Sequence, residues 1–586
     1  MLQRSNGTAW LHHNTASCSD AGGYRGDERL TAERFEPKII AFACSASGWG
    51  ALLSAGRGRH HYPSNVKSLR VTCAGSIDPA LFIQAFENGV DGVAVIGCRL
   101  EECRYRFGNV FAEEKLTHVR GLLELLGISP DRIISERVAS ADGIKLAERL
   151  KAFVNEIREL GPVPIIPSKR MRKADKESVD KEVKHLVEDT KAYKCVECGK
   201  CTVVCPIPKF EPEFAMPRIV VLRSIEGMTE HLADDQDIWT CTTCGLCNSL
   251  CPFDVDYCGF IQGLRGQARA LGNDPTCSHR GLIHSATRIM AKTTNVRQDR
   301  LRWIPPDLSV SERSDVFYFV GCLPHFDTIL ADRNLRLTDI SVAAVQLMNA
   351  AGVSPHISSE EVCCGHDLIW TGDEENFLRL MDKNLGVIRK SGAEKVVFSC
   401  PECYRTFLRD YQEFEGDLGF ELMHISEYLQ RLMDDGRLTF PKRESATSVT
   451  YHDSCRLGIH LEVIDSPRRL FEAAGLKVVE MENTKNRSYC CGNCAWTNCS
   501  STTMKMQLER MRQAKRTGAE YLLTSDPKCQ IHLSCAMSGE LPIERELVDL
   551  PVKDMAIALA EILKGQDGFS ARIGNWGEKG QPMPER

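Results

Sequence analysis

Cysteine is the residue on which chemistry would rest in this chain: 27 of its 586 residues are cysteines, and they fall into four groups. The middle group is written twice, as CVECGKCTVVCP from Cys195 and CTTCGLCNSLCP from Cys241. Each run follows C-x2-C-x2-C-x3-C-P, the spacing at which three thiolates wrap one cubane iron-sulfur cluster and the fourth, ahead of a proline, reaches a companion cluster. Two runs imply two [4Fe-4S] clusters. The crossed arrangement gives Cys195, Cys198, Cys201 and Cys251 to one and Cys241, Cys244, Cys247 and Cys205 to the other. Zinc also takes four thiolates, but its knuckles pair two C-x2-C units per metal, and a third cysteine followed by Pro206 or Pro252 suits a cube better.

Cys44, Cys73 and Cys98 each end a predicted strand, with Cys103 one short loop beyond. Parallel strands bring their carboxyl ends to one edge, where ligands collect. Four thiolates there match the ligand count of a [2Fe-2S] cluster; plain burial in the core is the alternative. The last two groups each contain Cys-Cys-Gly. Neighbouring side chains diverge in both strand and helix, so the backbone has to bend, and Gly365 and Gly492 permit the positive φ of such a bend. Cys322, Cys363, Cys364, Cys400 and Cys403 give five thiolates in the third group. The fourth keeps Cys455, Cys490, Cys491 and Cys529, with Cys494, Cys499 and Cys535 nearby, but has Asp526 where Cys400 would stand. A carboxylate there is either an iron ligand or, more commonly, a turn or cap residue. Cys18, Cys258 and Cys277 carry no assigned duty. His366, His452 and His532 flank the cysteine motifs, where an imidazole can tune a cluster or move a proton, although packed histidines are the commoner case.

The elements that hold these groups read as multidomain α/β. KIIAFAC, SLRVTC, GVAVIGC and RIISERV are strands, with helices at Pro79–Asn88, Leu116–Leu126 and Asp142–Leu160, and this alternation argues for a parallel sheet covered on both faces. The expected plan is a flexible tail over 1–36, an α/β domain over 37–162, an exposed linker over 163–190, a helical two-cluster domain over 191–300, two cysteine-rich repeats over 314–440 and 446–563, and a tail over 564–586. The repeats align part by part: VFYFVGC with SVTYHDSC, EEVCCG with SYCCG, and GAEKVVFSCPECYRTFL with GAEYLLTSDPKCQIHL. In each, VVFS or YLLTS reads as a buried strand.

Composition narrows the classes. Hydrophobic content of 43% and charged content of 26% are those of an ordinary globular protein. A net charge of −6 and a pI near 6.3 offer no basic footprint for nucleic acid. No stretch reaches the roughly 18 to 20 apolar residues of a membrane span, and the N-terminus lacks a secretory apolar core. The expected location is the cytoplasm, where thiols stay reduced and available for metals.

The first α/β block resembles the iron-sulfur delta subunit of methyl-viologen-reducing hydrogenases, from KIIAFAC through SLRVTCAGSIDPALFIQAFENGVDGVAVIGCRLEECRYRFGN, although that family usually has several cysteines after the first strand and here only Cys44 stands in FACSAS. The two-run segment resembles the ferredoxin-like HdrC component of heterodisulfide reductase. The repeats resemble the CCG domains of its HdrB component, which also occur in glycolate and lactate oxidase iron-sulfur subunits. The resemblance implies one or two further, noncubane [4Fe-4S] clusters, with Cys322, Cys363, Cys364, Cys400 and Cys403 as the disulfide-cleaving set. It also implies an oxidoreductase component in a heterodisulfide-reductase-like complex, bifurcating or not. Electrons would come from a hydrogenase- or formate-dehydrogenase-type donor, and the flavin would be bound by an HdrA-like partner rather than by this chain. The rivals are that the chain is itself the disulfide reductase, that it is a glycolate- or lactate-oxidase-type subunit, or that it is a zinc-stabilised scaffold without redox chemistry.

Overall fold

The computed structural model describes residues 35–166, 173–214, 216–294, 300–333, 335–443, 446–497, 499–538 and 548–565. Nearly all of both expected tails lies outside the described residues.

Four parallel strands, β1 (Ile39–Cys44), β2 (Val66–Val71), β3 (Gly92–Cys98) and β4 (Ile133–Val138), form the first sheet in the order β2-β1-β3-β4. β3 is central and buried along its length. Successive side chains of a strand point to opposite faces. Accordingly Ala41, Ala43, Ala94 and Ile96 pack beneath α1 (Gly48–Arg57) and α4 (Gly143–Leu160), and Phe42, Val93 and Val95 pack beneath α2 (Pro79–Glu87) and α3 (Gly108–Leu125). The α3 helix begins well ahead of the Leu116 expected from the sequence. Its first turns leave Val110 and Phe111 exposed, so they lack the apolar face that marks a helix.

The stretch expected as an exposed tether contains a helix, Lys176–Asp189. Val179, Val183 and Val187 recur at one turn's spacing, and that stripe is buried against Phe260, Ile261 and Leu264 of the Tyr257–Ala270 helix. Its charged residues occupy the opposite face. The two cysteine runs follow the same local course: each has a left-handed glycine, Gly199 (φ 76°) or Gly245 (φ 84°), that opens a short helix, Lys200–Val204 or Leu246–Ser249.

The repeats carry two more all-parallel sheets. β5 (Val316–Phe319), β6 (Lys395–Phe398) and β7 (Glu421–His424) run in that order, and β8 (Thr447–His452), β9 (Leu476–Val478), β10 (Tyr521–Thr524) and β11 (Val552–Asp554) are arranged β11-β10-β8-β9. Equivalent hydrogen bonds mark their kinship: Tyr318 to Ser399 at 2.8 Å and Tyr451 to Ser525 at 2.7 Å. One core is shared by both, with the Thr338–Ala350 helix of the first packed near Met555–Leu563 of the second. The N-terminal domain docks through α2 on the Leu282–Lys292 helix, where Arg288 and Lys292 pair with Glu87. No helix among the described residues is long and apolar enough to cross a membrane.

The contact between α1 and α4 sets a steric limit. A Cβ on Gly143 would lie 2.4 Å from the Ala55 nitrogen, whereas Gly56 faces open space. Gly143→Ala should therefore cost about 1–3 kcal/mol through overpacking, and Gly56→Ala should be neutral or stabilising by up to about 1 kcal/mol. Differential scanning calorimetry with amide exchange of β1 and β3 reads both.

Candidate metal centres

The N-terminal sheet collects its thiols in two pairs toward the carboxyl edge. Cys44 and Cys98 end neighbouring strands, with their Sγ atoms 3.5 Å apart, and the Gly48 N–H donates to the Cys44 sulfur at 3.2 Å. Cys73 and Cys103 meet over Gly108, where a Cβ would lie 2.3 Å from one sulfur and 3.2 Å from the other. Any side chain at 108 would have to push the Cys73 sulfur aside. Burial, and then the neighbouring Cys103, pushes the Cys73 thiol up.

The two runs interleave. Cys195, Cys198 and Cys201 line one cavity together with Cys251 and Cys247 from the second run. Cys205 of the first run adjoins Cys241 and Cys244. Burial pushes the Cys205 thiol to about 11 and the Cys241 thiol to about 12. Such sulfurs hold their protons until a metal displaces them. The structure adds a thiol that sequence reasoning left without a duty: buried Cys258, on the Tyr257–Ala270 helix, adjoins Cys247 and Cys241. It falls only a few residues beyond Cys251, and that nearness was the available signal.

All five cysteines of the first repeat line a single cavity with His366, Asp367, Glu402 and Lys528. Adjacent sulfurs run Cys322, Cys363, Cys364, Cys403, Cys400. The Cys-Cys-Gly bend is braced from behind. Asn384 accepts from the Val362 N–H at 2.9 Å and donates to the Cys363 carbonyl at 3.1 Å, the Tyr411 hydroxyl donates to the Cys364 carbonyl at 3.0 Å, and Gly365 takes φ 85°. A buried pair, Arg300 with Glu361 at 3.0 Å, lies under the Cys322 turn, where Glu361 accepts from the Val320 and Gly321 N–H groups. Lys528 belongs to the second repeat, yet its ammonium pairs with Asp367 and Glu402 of the first. His366 accepts from Arg456 Nε at 3.1 Å on Nε2, which leaves its Nδ1–H to donate to Asp367 at 3.0 Å. Burial holds this imidazole down at about 4. Sequence reasoning missed Lys528, Glu402, Asp367, Arg300, Glu361 and Arg456. A charged residue inside CPEC and inside DPKC was the one clue.

In the second repeat Cys455, Cys490, Cys491 and Cys529 are contiguous, with Cys491 and Cys529 sulfurs 3.5 Å apart and Gly492 at φ 97°. Asp526 is buried and accepts from the Lys528 and Cys529 N–H groups at 2.9 and 3.4 Å, so it caps the Pro527–Cys535 helix. Cys494 points instead to the second run, 3.0 Å from Thr243 Oγ1, and Cys499 is exposed. Cys244, Cys490, Cys205, Cys241 and Cys455 belong to one buried cluster with Ile207, Phe214 and Ile459, so the sulfurs of the second run and the second repeat meet there.

Sheet edges, cavities and motif bends of this kind define an iron-sulfur redox protein built from separate cluster-binding modules. Family models agree: the methyl-viologen-reducing hydrogenase delta subunit matches residues 39–161, the 4Fe-4S dicluster domain 191–255, and the cysteine-rich CCG domain both 316–408 and 449–534. Through its N-terminal domain the chain belongs to the hydrogenase delta-subunit family, here joined to dicluster and CCG modules. The iron-sulfur D component of the F420-non-reducing hydrogenase of Archaeoglobus profundus is 40% identical over 131 residues, 22% of this chain and 96% of that protein. The D component of dihydromethanophenazine:CoB–CoM heterodisulfide reductase from Methanosarcina mazei is 32% identical over 275 residues, 46% of this chain and 63% of that protein. EtfAB:quinone oxidoreductase of Syntrophomonas wolfei is 36% identical over 175 residues, 30% of this chain and 23% of that protein. The chain thus spans less than two thirds of the heterodisulfide reductase and quinone oxidoreductase relatives it matches.

The buried ion cluster gives a direct test. Lys528→Met leaves two buried carboxylates without their cation and should cost about 3–5 kcal/mol, seen as a lower denaturant midpoint of the C-terminal repeats. Arg469→Ala, which breaks a surface pair with Asp434 at 2.9 Å, should cost no more than about 1 kcal/mol.

Proposed function

We propose that this chain is an iron-sulfur electron-transfer subunit of a heterodisulfide-reductase-like complex, taking electrons from a hydrogenase- or formate-dehydrogenase-type donor and working beside a flavin-binding subunit. The observation that carries this reading is the buried contact in which Cys205, Cys241 and Cys244 of the two runs meet Cys455 and Cys490 of the second repeat. Sulfurs of the two runs and of the second repeat adjoin through packed side chains, as electron transfer between their centres requires. Iron-sulfur clusters, when bound, supply one-electron carriers, while the protein sets their spacing, burial and hydrogen bonding. The residues fit them: two interleaved four-thiol sets in the runs, four thiols at the N-terminal sheet edge for a [2Fe-2S] cluster, five in the first repeat and four in the second. Arg265 steadies the Cys241 loop by donating to the Cys241 carbonyl at 2.6 Å and ties it to the first repeat through the Trp370 carbonyl at 3.1 Å.

A second reading, that the first repeat itself reduces a disulfide, draws on the ionic groups lining its five-thiol cavity. There Lys528, Asp367, Glu402 and His366 hold acidic and basic atoms beside the sulfurs.

Anaerobically purified protein should be coloured and hold about a dozen or more iron atoms per chain. A colourless, zinc-loaded preparation would overturn the redox reading in favour of a scaffold. Electron paramagnetic resonance of reduced protein with added disulfides separates the two redox readings. A disulfide-dependent signal that Cys363→Ser abolishes supports catalysis, and an unchanged spectrum with every disulfide tested supports a relay. A flavoprotein subunit co-purifying with the native complex supports the stated assembly.

A further inference from the structure

The two repeats diverge at two positions that face their thiols. Where the first has Cys400, the second has Asp526, whose Oδ1 is turned to the helix N–H groups. Where the first has Phe319, packed against Phe398 and Phe407 at centroid distances of 5.5 and 5.1 Å, the second has His452, three residues before Cys455 as Phe319 is before Cys322. His452 ends β8, is 1% exposed, and brings a ring nitrogen to within 4.8 Å of the sulfurs of Cys491 and Cys529, which lie within the same distance of each other.

The ring's chemistry is set from its far side. Arg510 Nε donates to His452 Nδ1 at 2.9 Å. A guanidinium has donors and no acceptor, so Nδ1 must present its lone pair, and the proton of the neutral imidazole then resides on Nε2. That atom is buried and makes no hydrogen bond to any atom of the protein, the cysteine sulfurs included. Arg510 is itself fixed by the Asn483 carbonyl at 2.7 Å, Gln513 Oε1 at 2.9 Å and Ser488 Oγ at 3.1 Å, so it cannot swing away to let the ring change tautomer without breaking those bonds. Direct ligation through Nε2 would need an imidazolate or a different partner at Nδ1. A buried N–H beside these cysteines with no protein acceptor calls for one from whatever they hold, and the sulfur of a bound iron-sulfur centre would supply it.

From this we infer that His452 does not replace the missing fifth sulfur as a ligand but, when the second-repeat centre is bound, donates an Nε2–H hydrogen bond to the sulfur of that centre and raises its reduction potential. The inference rests on the reading that this repeat holds an iron-sulfur centre. Reduction adds negative charge to such a centre, and a hydrogen bond to its sulfurs stabilises that charge. His452 is thus a positioning residue that makes the two otherwise similar repeats electronically unequal.

The test uses the full chain, purified anaerobically, with the second-repeat signal identified as the one removed by Cys491→Ser. His452→Leu should keep the iron content and that signal but lower its midpoint potential in a titration followed by electron paramagnetic resonance. His452→Gln, which keeps an N–H donor, should restore most of the shift. Protein grown with 15N-histidine should show a weak nitrogen coupling to this centre, absent in the variant. A strong coupling typical of a bound nitrogen, loss of the centre from folded His452→Leu protein, or one potential shared by all three proteins would each overturn the inference. Absence of any Cys491-dependent signal and iron from the wild-type protein would overturn the iron-sulfur reading of this repeat along with it.

Discussion

Arg456 occupies the point on which the arrangement of the sulfurs depends. Fully buried, it donates to the Thr243 carbonyl at 2.5 Å and hydroxyl at 2.8 Å between Cys241 and Cys244, and to His366 at 3.1 Å beside Cys364. It also lies 4.4 Å over the Trp370 ring. In sequence it follows Cys455. One side chain therefore ties the second run, the first repeat and the second repeat together. No carboxylate forms an ion pair with it among the described residues. Burial works against its charge, and the sulfurs of Cys455 and Cys494 and the Glu402 carboxylate hold it charged. A buried cation is stable only when compensated, so this guanidinium depends on the Glu402 carboxylate and, once a metal has displaced the thiol protons, on the neighbouring sulfurs.

The same logic accounts for Lys528. Inserted from the second repeat between two acids of the first, it makes each repeat incomplete without the other, and it stands next to Cys529 and in the cavity of Cys322. The shared hydrophobic core would let the repeats slide by small amounts, because apolar packing is non-directional. Charged hydrogen bonds at Lys528 and Arg456 do not tolerate such slippage. They fix the separation of neighbouring sulfur groups, the quantity that matters for moving electrons between them.

Much of this was legible in the residue order. Unbroken apolar runs such as GVAVIGC identified the buried strands, and the end of each strand told where Cys44 and Cys98 would stand. The C-x2-C-x2-C-x3-C runs and the Cys-Cys-Gly bends were equally plain, since glycine and cysteine carry strong local constraints. What escaped were contacts made by long, flexible, charged side chains reaching between elements far apart in the chain, such as Lys528 to Asp367 and Arg456 to Thr243. Local patterns cannot encode them. The Lys176–Asp189 helix escaped for a related reason: its three valines are outnumbered by charged residues, and its apolar stripe becomes meaningful only against Phe260 and Leu264.

Exposure across the molecule bears on how the sulfur groups divide their labour. Cys198 is exposed, with Val196 at 58%, Val203 at 84% and Phe253 at 40% exposure around the first run. Cys73 and Cys103 of the N-terminal edge are half-buried beside exposed Tyr105 and Phe107. Cys363, Cys364, Cys403, Cys490, Cys491 and Cys529 are buried. A redox partner protein can approach only sulfurs near the surface, whereas a centre meant to hold electrons away from adventitious acceptors gains from being enclosed. On the proposed electron-transfer reading, the first run and the sheet edge are the groups a partner protein could approach, and the repeats are the enclosed ones. Within that enclosed region, the unequal surroundings of the two repeats, a fifth thiol in one and an imidazole in the other, give neighbouring sites of similar shape different affinities for an electron.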